Sequence, residues 1–263
     1  MAVCLGGAIV IKKENNLNKK RVALVTGAFS GIGEALTREL ISNDWIVIGI
    51  ARRAEKLNEI KNEIGPSFIP MICDISDMSD IRQSCQNILD QGLCPTLFFL
   101  NAGIAGEKTI ENAEAFTVEI HKRIMAVNYF GVLAFVEFFE KPCLHNGGAH
   151  FIVTSSINAI FAPPAGSAYC ASKAAISKAF ESLSLTYCGR NLIFSSIYTG
   201  PVATEALKGN LPFTWSAEKM AKYMCKFSEL KKSRGYPSRF YFFISHILRV
   251  LPDGLVMRIL KKM

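Results

Sequence analysis

Short apolar runs, each closed by a glycine or a small polar residue, recur along most of the chain and alternate with longer amphipathic stretches. Residues 21–26, 45–50, 68–73, 96–100, 150–154 and 192–197 read as buried strands of a parallel sheet, because a strand covered on both faces is apolar throughout and does not alternate. Between them, residues 34–42, 53–64, 77–89, 113–140 and 167–187 carry helical spacing, with Asp77 or Ser76 suited to cap the third. Strand–helix alternation at this spacing predicts an α/β fold: a three-layer, doubly wound parallel sheet in a single domain. The tail is expected to be largely helical from about 216 to 263. Within it, residues 216–230 are capped by Ser216, 240–250 fit either a strand or a helix, and 255–262 form a short basic amphipathic helix. Residues 1–20 read as a loosely attached, flexible leader solvated by Lys12, Lys13, Lys19 and Lys20, so the domain proper is 21–263.

Half of the 263 residues are hydrophobic and a fifth are charged, which suffices for a packed core without further support. The apolar opening, residues 1–11, lacks the basic lead-in and small-residue cleavage site of a signal peptide, and no apolar run is long enough to cross a bilayer. The eight cysteines are scattered, with no C-x-x-C pair and no neighbouring histidines. That pattern argues against a metal site or a disulfide framework and for reduced, buried thiols in a cytoplasmic protein. The net charge of +8 is concentrated in the leader, in 226–239 and in 258–262. No basic run is interleaved with stacking aromatics, so the charge is read as solubility and not as nucleic-acid binding.

Gly27, Gly31 and Gly33 fall between the first strand and the first helix, with Phe29, Ser30 and Ile32 completing the turn. Glycines let the backbone approach a pyrophosphate, and the helix start offers free N–H groups and a positive dipole. The second strand runs into Arg52 and Arg53 with no acid before Glu55; arginine there suits a ribose 2′-phosphate, where an acid would suit a free 2′-hydroxyl. NADP(H) is therefore the expected cofactor, with NAD(H) the alternative. Asp74, followed by Ile75, is placed to accept a hydrogen bond from an adenine amino group. Asn101, Ala102 and Gly103 end the fourth strand with small residues beside which a ribose or nicotinamide passes.

Tyr169 and Lys173 stand four apart in the Ala-rich stretch 167–187, on one helical face. An ammonium close to a phenol favours the phenolate, so Lys173 is expected to lower the Tyr169 pKa and make it a proton donor or acceptor. Ser156, thirteen residues upstream of the tyrosine, is suited to hold a substrate oxygen.

From about residue 20 to 205 the chain resembles the short-chain dehydrogenase/reductase family. The resemblance rests on motifs in the family's order: the stretch from Thr26 to Gly33, Asp74, Asn101-Ala102-Gly103, Asn128, Ser156 with Tyr169 and Lys173, and the stretch from Thr199 to Thr204 after the sixth strand. It implies a Rossmann fold and an oxidoreductase in which Tyr169 is the general acid or base, Lys173 tunes it and binds the nicotinamide ribose, and Ser156 holds the substrate oxygen. Ser156 is preferred over Ser155 by the family's interval to the tyrosine. Asn128 would anchor a water linking Lys173 to solvent, and Gly200, Val202 and Thr204 would line the cofactor. Homodimers or homotetramers through 113–140 and 167–187 are also implied. Two residues depart from the pattern. Ser30 stands where NADP-preferring members often carry a basic residue, and Thr199 replaces a usual proline, which is expected to loosen the substrate loop.

The substrate wall is expected from residues 158–165, from Tyr198 and from the segment after Thr204. Phe161, Pro163, Pro164, Leu207, Leu211, Phe213 and Trp215 make it apolar. A hydrophobic ketone, aldehyde or secondary alcohol is the expected substrate. Two other readings remain: a catalytically silent nucleotide-binding sensor or scaffold of the same fold, and a membrane-surface lipid-modifying reductase anchored by 240–250 and the basic end.

Overall fold

Residues Val22–Thr26 form a fully buried strand (β1) whose neighbours alternate between two cores, Val22 and Leu24 joining one and Ala23 and Val25 the other. That two-sided burial is what an apolar run without polar alternation demands. The computed structural model describes residues 21–105, 117–164, 166–204 and 213–260. The expected leader, together with Leu207 and Leu211, lies outside the described residues.

After β1 come α1 (Gly31–Ser42), β2 (Ile46–Ala51), α2 (Ala54–Ile64), β3 (Phe68–Ile72), α3 (Met78–Asp90) and β4 (Leu97–Leu100). Then follow α4 (Val118–Met125), a π-helical turn (Ala126–Gly131), α5 (Val132–His145), β5 (Ala149–Ser156), a 3-10 turn (Ile157–Ala159), α6 (Ser167–Thr186) and β6 (Leu192–Thr199). The described chain ends with β7 (Val202–Ala203), β8 (Trp215–Ser216), α7 (Ala217–Leu230), β9 (Arg234–Gly235), α8 (Arg239–Val250) and α9 (Asp253–Leu260). The main sheet has the order β3-β2-β1-β4-β5-β6-β9, and every pairing in it is parallel. This is the doubly wound Rossmann arrangement expected, with its switch point between β1 and β4.

Register brings Phe98, Phe151 and Phe194 side by side on three adjacent strands, where Phe98 and Phe151 stack at 4.3 Å and Phe151 and Phe194 at 5.2 Å. Phe180 of α6 closes on this row edge-on at 5.7 Å. Each fully buried ring contributes on the order of 2–3 kcal/mol, so this row fixes how α5 and α6 sit on the sheet.

The long helix expected over 113–140 is instead three joined segments. Thr117 caps α4 by accepting the Ile120 N–H, and the helix runs past Glu140 to His145. It crosses Pro142 because Phe135, Val136, Phe139 and Cys143 keep one continuous buried stripe, whose burial outweighs proline's cost of ~3 kcal/mol. Residues 113–116 lie outside the described residues. The ambiguous stretch 240–250 is helix α8: Ser238 caps it, and Tyr241, Ser245 and Leu248 bury one helical face. Strands β7, β8 and β9 were not legible in the sequence, because two-residue strands carry no hydrophobic run.

Of the seven described cysteines four are buried; contrary to the expectation of buried thiols throughout, Cys94 and Cys225 are half-buried and Cys188 is exposed.

Candidate active site

The first turn of α1 begins directly after β1, where the backbone must reverse tightly. A Cβ at Gly33 would fall 2.0 Å from the Gly27 carbonyl oxygen, so only glycine permits the close packing of the turn on its own helix. Gly31 has φ +54°, and a Cβ there would meet the Thr204 methyl at 2.9 Å, which brings the end of β7 onto the glycine turn. Ser30 occupies the N-cap position without a side-chain capping bond, so the first amides of α1 have no acceptor from that cap. Uncapped amides at a helix start form an anion cradle, and this one fits a pyrophosphate.

Around that turn, Arg53 lies over the Phe29 ring at 4.5 Å and Arg52 faces Asp74 at 3.8 Å. Asp74 accepts from the Ser76 backbone N–H and hydroxyl, and these bonds hold its carboxyl below the usual range. Asp77, not Ser76, caps α3. Ile75 is buried, and its carbonyl comes so close to Gly131 that a Cβ there would sit 2.2 Å away.

Asn101 at the end of β4 reaches the Thr26 carbonyl and accepts from the Thr154 hydroxyl, while the Ala102 N–H donates to the Thr26 hydroxyl at 2.9 Å. These bonds tie the ends of β1, β4 and β5 together. A Cβ on Gly103 would lie 3.2 Å from both the Asn128 carbonyl oxygen and the Lys173 amine, so a side chain there would crowd both groups.

Asn128 sits in the π-helical turn, and its amide clasps both backbone groups of Ile104, at 2.8 and 2.9 Å, as well as the Ser172 hydroxyl at 3.0 Å. A π-turn swings one side chain out of the ordinary helical register, and such turns concentrate at functional sites.

The strand β5 and helix α6 bring the remaining groups together. The period of two along β5 turns Ser155 and Ser156 to opposite faces. Ser155 bonds the Ser177 hydroxyl at 2.6 Å, whereas Ser156 accepts the Asn158 N–H at 3.1 Å and lies near enough to the Tyr169 phenol to favour its ionised form. Lys173 is buried, with its amine 5.7 Å from the centre of the Tyr169 ring. It donates to the Thr154 carbonyl at 2.7 Å, and burial pushes its pKa down to about 8.

Here one expectation fails. Lys173 does not acidify Tyr169; burial raises the phenol above its ordinary value, and only Ser156 opposes that. The amine points at a backbone carbonyl, and its partial loss of charge weakens the field it was expected to supply. The Thr199 hydroxyl donates to the Ser155 carbonyl at 3.0 Å, tying the end of β6 to β5, while residues 205–212 of the expected substrate loop lie outside the described residues.

Of the expected substrate wall, Tyr198 is buried and stacks on Tyr236 at 4.9 Å, while Trp215 packs against Tyr223 and under Lys219. Phe161 and Pro163 are half-buried and Pro164 is exposed. Gly200 lies against the Tyr241 ring of α8, where a Cβ would meet it at 2.8 Å. Val202 is buried in β7, paired with Trp215. Sequence reasoning missed Thr154, Ile104 and Tyr241. Ile104 acts through its backbone groups and Thr154 holds Lys173 through its carbonyl, neither of which leaves a side-chain signature, and Tyr241 comes from the tail.

The short chain dehydrogenase family matches the chain over residues 21–213. A short chain dehydrogenase from Burkholderia cenocepacia, solved in complex with NADP, is 26% identical with a TM-score of 0.78, over 91% of this chain and 97% of that one. A 3-ketoacyl-(acyl-carrier-protein) reductase from Brucella melitensis, complexed with NADH, superposes with a TM-score of 0.75 at 21% identity, covering 82% and 94%. An 11-beta-hydroxysteroid dehydrogenase A from Sesamum indicum is 29% identical over 72% of this chain. The chain spans 54% of that relative's length, and 61% and 64% of two insect relatives.

Proposed function

The chain belongs to the short-chain dehydrogenase family, and on that premise we propose that it is an NADP(H)-dependent oxidoreductase acting on a hydrophobic ketone, aldehyde or secondary alcohol, with Tyr169 as its general acid or base. The observation that carries this reading is the meeting of three side chains: Ser156 close to the half-buried Tyr169 phenol, with the Lys173 amine 5.7 Å from the centre of the ring. A bound nicotinamide supplies or takes up the hydride; the protein's part is orientation and proton transfer. Ser156 donates to the substrate oxygen and holds it against the phenol. Tyr169 gives its proton to that oxygen in reduction and removes it in oxidation. Because burial keeps the phenol protonated, the resting site is set for the reductive direction. Lys173, near half-charged at about pH 8, would restore the proton and bind the nicotinamide ribose, and Asn128 would anchor a water linking it to solvent.

The uncapped start of α1, with Gly27, Phe29, Ser30, Gly31, Ile32 and Gly33, holds the pyrophosphate. Arg52 and Arg53 support NADP(H) over NAD(H) through forked contacts to a 2′-phosphate. Asp74 and Ile75 would hold the adenine, Asn101, Ala102 and Gly103 the ribose, and Gly200, Val202 and Thr204 the nicotinamide end. Phe161 and Pro163 favour an apolar substrate, as does the steroid dehydrogenase relative, whereas Phe213 lies outside the wall against Phe240. We place the protein in the cytoplasm as a homodimer or homotetramer formed through α4–α6, where Val118, Phe130, Leu144 and Leu185 are exposed. Among the described residues no helix is long and apolar enough to cross a membrane.

The test is a screen of carbonyl compounds of graded polarity, followed by the absorbance of reduced nicotinamide. Turnover of apolar carbonyls that disappears in Tyr169→Phe is the expected result. Equal turnover in Tyr169→Phe would overturn the catalytic reading in favour of a silent nucleotide-binding scaffold, and a preference for polyols would overturn the substrate class.

A further inference from the structure

Helix α8 is apolar on two faces, and only one of them is covered. Tyr241, Ser245 and Leu248 turn inward, where the Tyr241 ring lies on Gly200. On the outer side Phe240, Phe243, Ile247 and Val250 are 41%, 60%, 51% and 79% exposed. At 3.6 residues per turn these four fall within about 80° of one another, forming one stripe along a helix of 12 residues. The stripe continues at both ends. Phe213, 63% exposed, packs on Phe240 at 4.7 Å, and Leu255 and Met257 of α9 are exposed beyond Val250. A surface helix ordinarily shows charge on its outer face, so an outward apolar stripe marks an interaction surface.

The charges around the stripe identify what covers it. Residues 236–263 contain Arg239, Arg249, Arg258, Lys261 and Lys262 against a single acid, Asp253. Arg239, Arg249 and Arg258 make no ion pair among the described residues. A second copy of the chain docked stripe to stripe would set these arginines against their own kind, in a molecule already at +8. An anionic bilayer complements both features, taking the aromatic and aliphatic stripe into its interface while its headgroups meet the arginines.

We propose that the outer face of α8 and α9, with Phe213, docks in the plane of an anionic lipid bilayer. The inner face of the same helix rests on the turn that follows β6, so docking turns the candidate active site toward the membrane surface. The attachment is peripheral, and it stands whether or not the oxidoreductase reading holds.

Flotation of the full chain with vesicles of phosphatidylcholine alone, or with about a third phosphatidylserine, tests it. Binding at least roughly tenfold stronger to the anionic vesicles, weakened by added salt, is expected. The double variant Phe243→Glu, Ile247→Glu is expected to lose roughly tenfold or more of that binding with its melting temperature retained. Two results would overturn the proposal: indifference of the chain to phosphatidylserine, or undiminished binding by the double variant. A variant that changes only the sedimenting mass would assign the stripe to a second copy of the chain and overturn it equally.

Discussion

The Lys173 amine is held by the backbone carbonyl of Thr154 at 2.7 Å, and no carboxylate shares its cavity among the described groups that perturb it. Burial alone sets its pKa at about 8, against an ordinary 10.5. The site thus keeps a costly amine where structure does not require one, which is a pattern of function more than of stability.

Replacing that amine tests the trade directly. The drop from 10.5 to about 8, at about 1.4 kcal/mol for each pKa unit, means the charge costs the fold about 3 kcal/mol at neutral pH. Above about pH 8 the folded protein sheds this proton while the unfolded chain keeps it up to 10.5, so the unfolded state binds more protons and stability rises with pH across that window. Lys173→Met is expected to keep or raise the melting temperature at pH 7, with its advantage shrinking toward pH 10, while turnover falls about a hundredfold or more. A melting temperature several degrees lower would show that the bond to Thr154 outweighs the charge.

The phenol gives a second pH signature. Because burial holds Tyr169 protonated above its ordinary range, carbonyl reduction is expected to stay level from pH 6 to about 7 and to fall only as Lys173 loses its proton near 8, whereas alcohol oxidation climbs with pH as the phenolate forms. Initial rates in both directions across this range would check it. Parallel profiles in the two directions would rule out Tyr169 as the proton carrier.

Arg52 and Arg53 are expected to act on one cofactor only. Changing both to alanine removes the charge facing a 2′-phosphate, so KM for NADPH should rise about ten- to a hundredfold, with KM for NADH little changed. Steady-state kinetics with each cofactor separates the outcomes. An equal loss with both would mean that Arg53 over Phe29 and Arg52 on Asp74 serve to shape the turn instead.

The strands β1 to β6 and most helices were legible because a buried parallel strand leaves an unmistakable apolar run, and each helix leaves its spacing. The glycine turn, Ser156, Tyr169 and Lys173 were legible for a similar reason, since their spacing survives in one dimension. What Lys173 does to Tyr169 was not. Spacing puts the two on one helical face, but the direction of the amine depends on the Thr154 carbonyl, which any residue would present. The π-turn at Ala126–Gly131 was equally hidden, because the close approach of Gly131 to the Ile75 carbonyl joins segments far apart in sequence.

That contact can be tested by adding one methyl. A Cβ at Gly131 would lie 2.2 Å from backbone that cannot swing away, so Gly131→Ala should cost about 1–3 kcal/mol and displace Asn128 with it. Gly254→Ala in α9 serves as the control, since nothing lies within 4 Å of its Cβ and alanine favours a helix by about 1 kcal/mol. Denaturant titration of the two variants should give opposite signs. If both are neutral, the turn has room that the close approach denies.

His150, far along β5 from Ser156, is expected to contribute to the loss of stability in acid. Its ring lies between the Ser228 carbonyl at 3.2 Å and the Ser195 hydroxyl at 2.6 Å, and burial pushes its pKa down to about 4, with Lys231 adding to the effect. The unfolded chain takes up this proton near pH 6.5, while the folded protein resists until about pH 4. Stability is therefore complete above 6.5 and drains away between 6.5 and 4, by up to about 3 kcal/mol from this one ring. His150→Gln has nothing to titrate there, so its unfolding free energy should fall less than that of the parent between pH 7 and pH 4.5, although the variant starts lower at pH 7. Denaturant melts at the two pH values decide the matter. An equal fall in both proteins would assign the acid sensitivity to the carboxylates and leave His150 as packing alone.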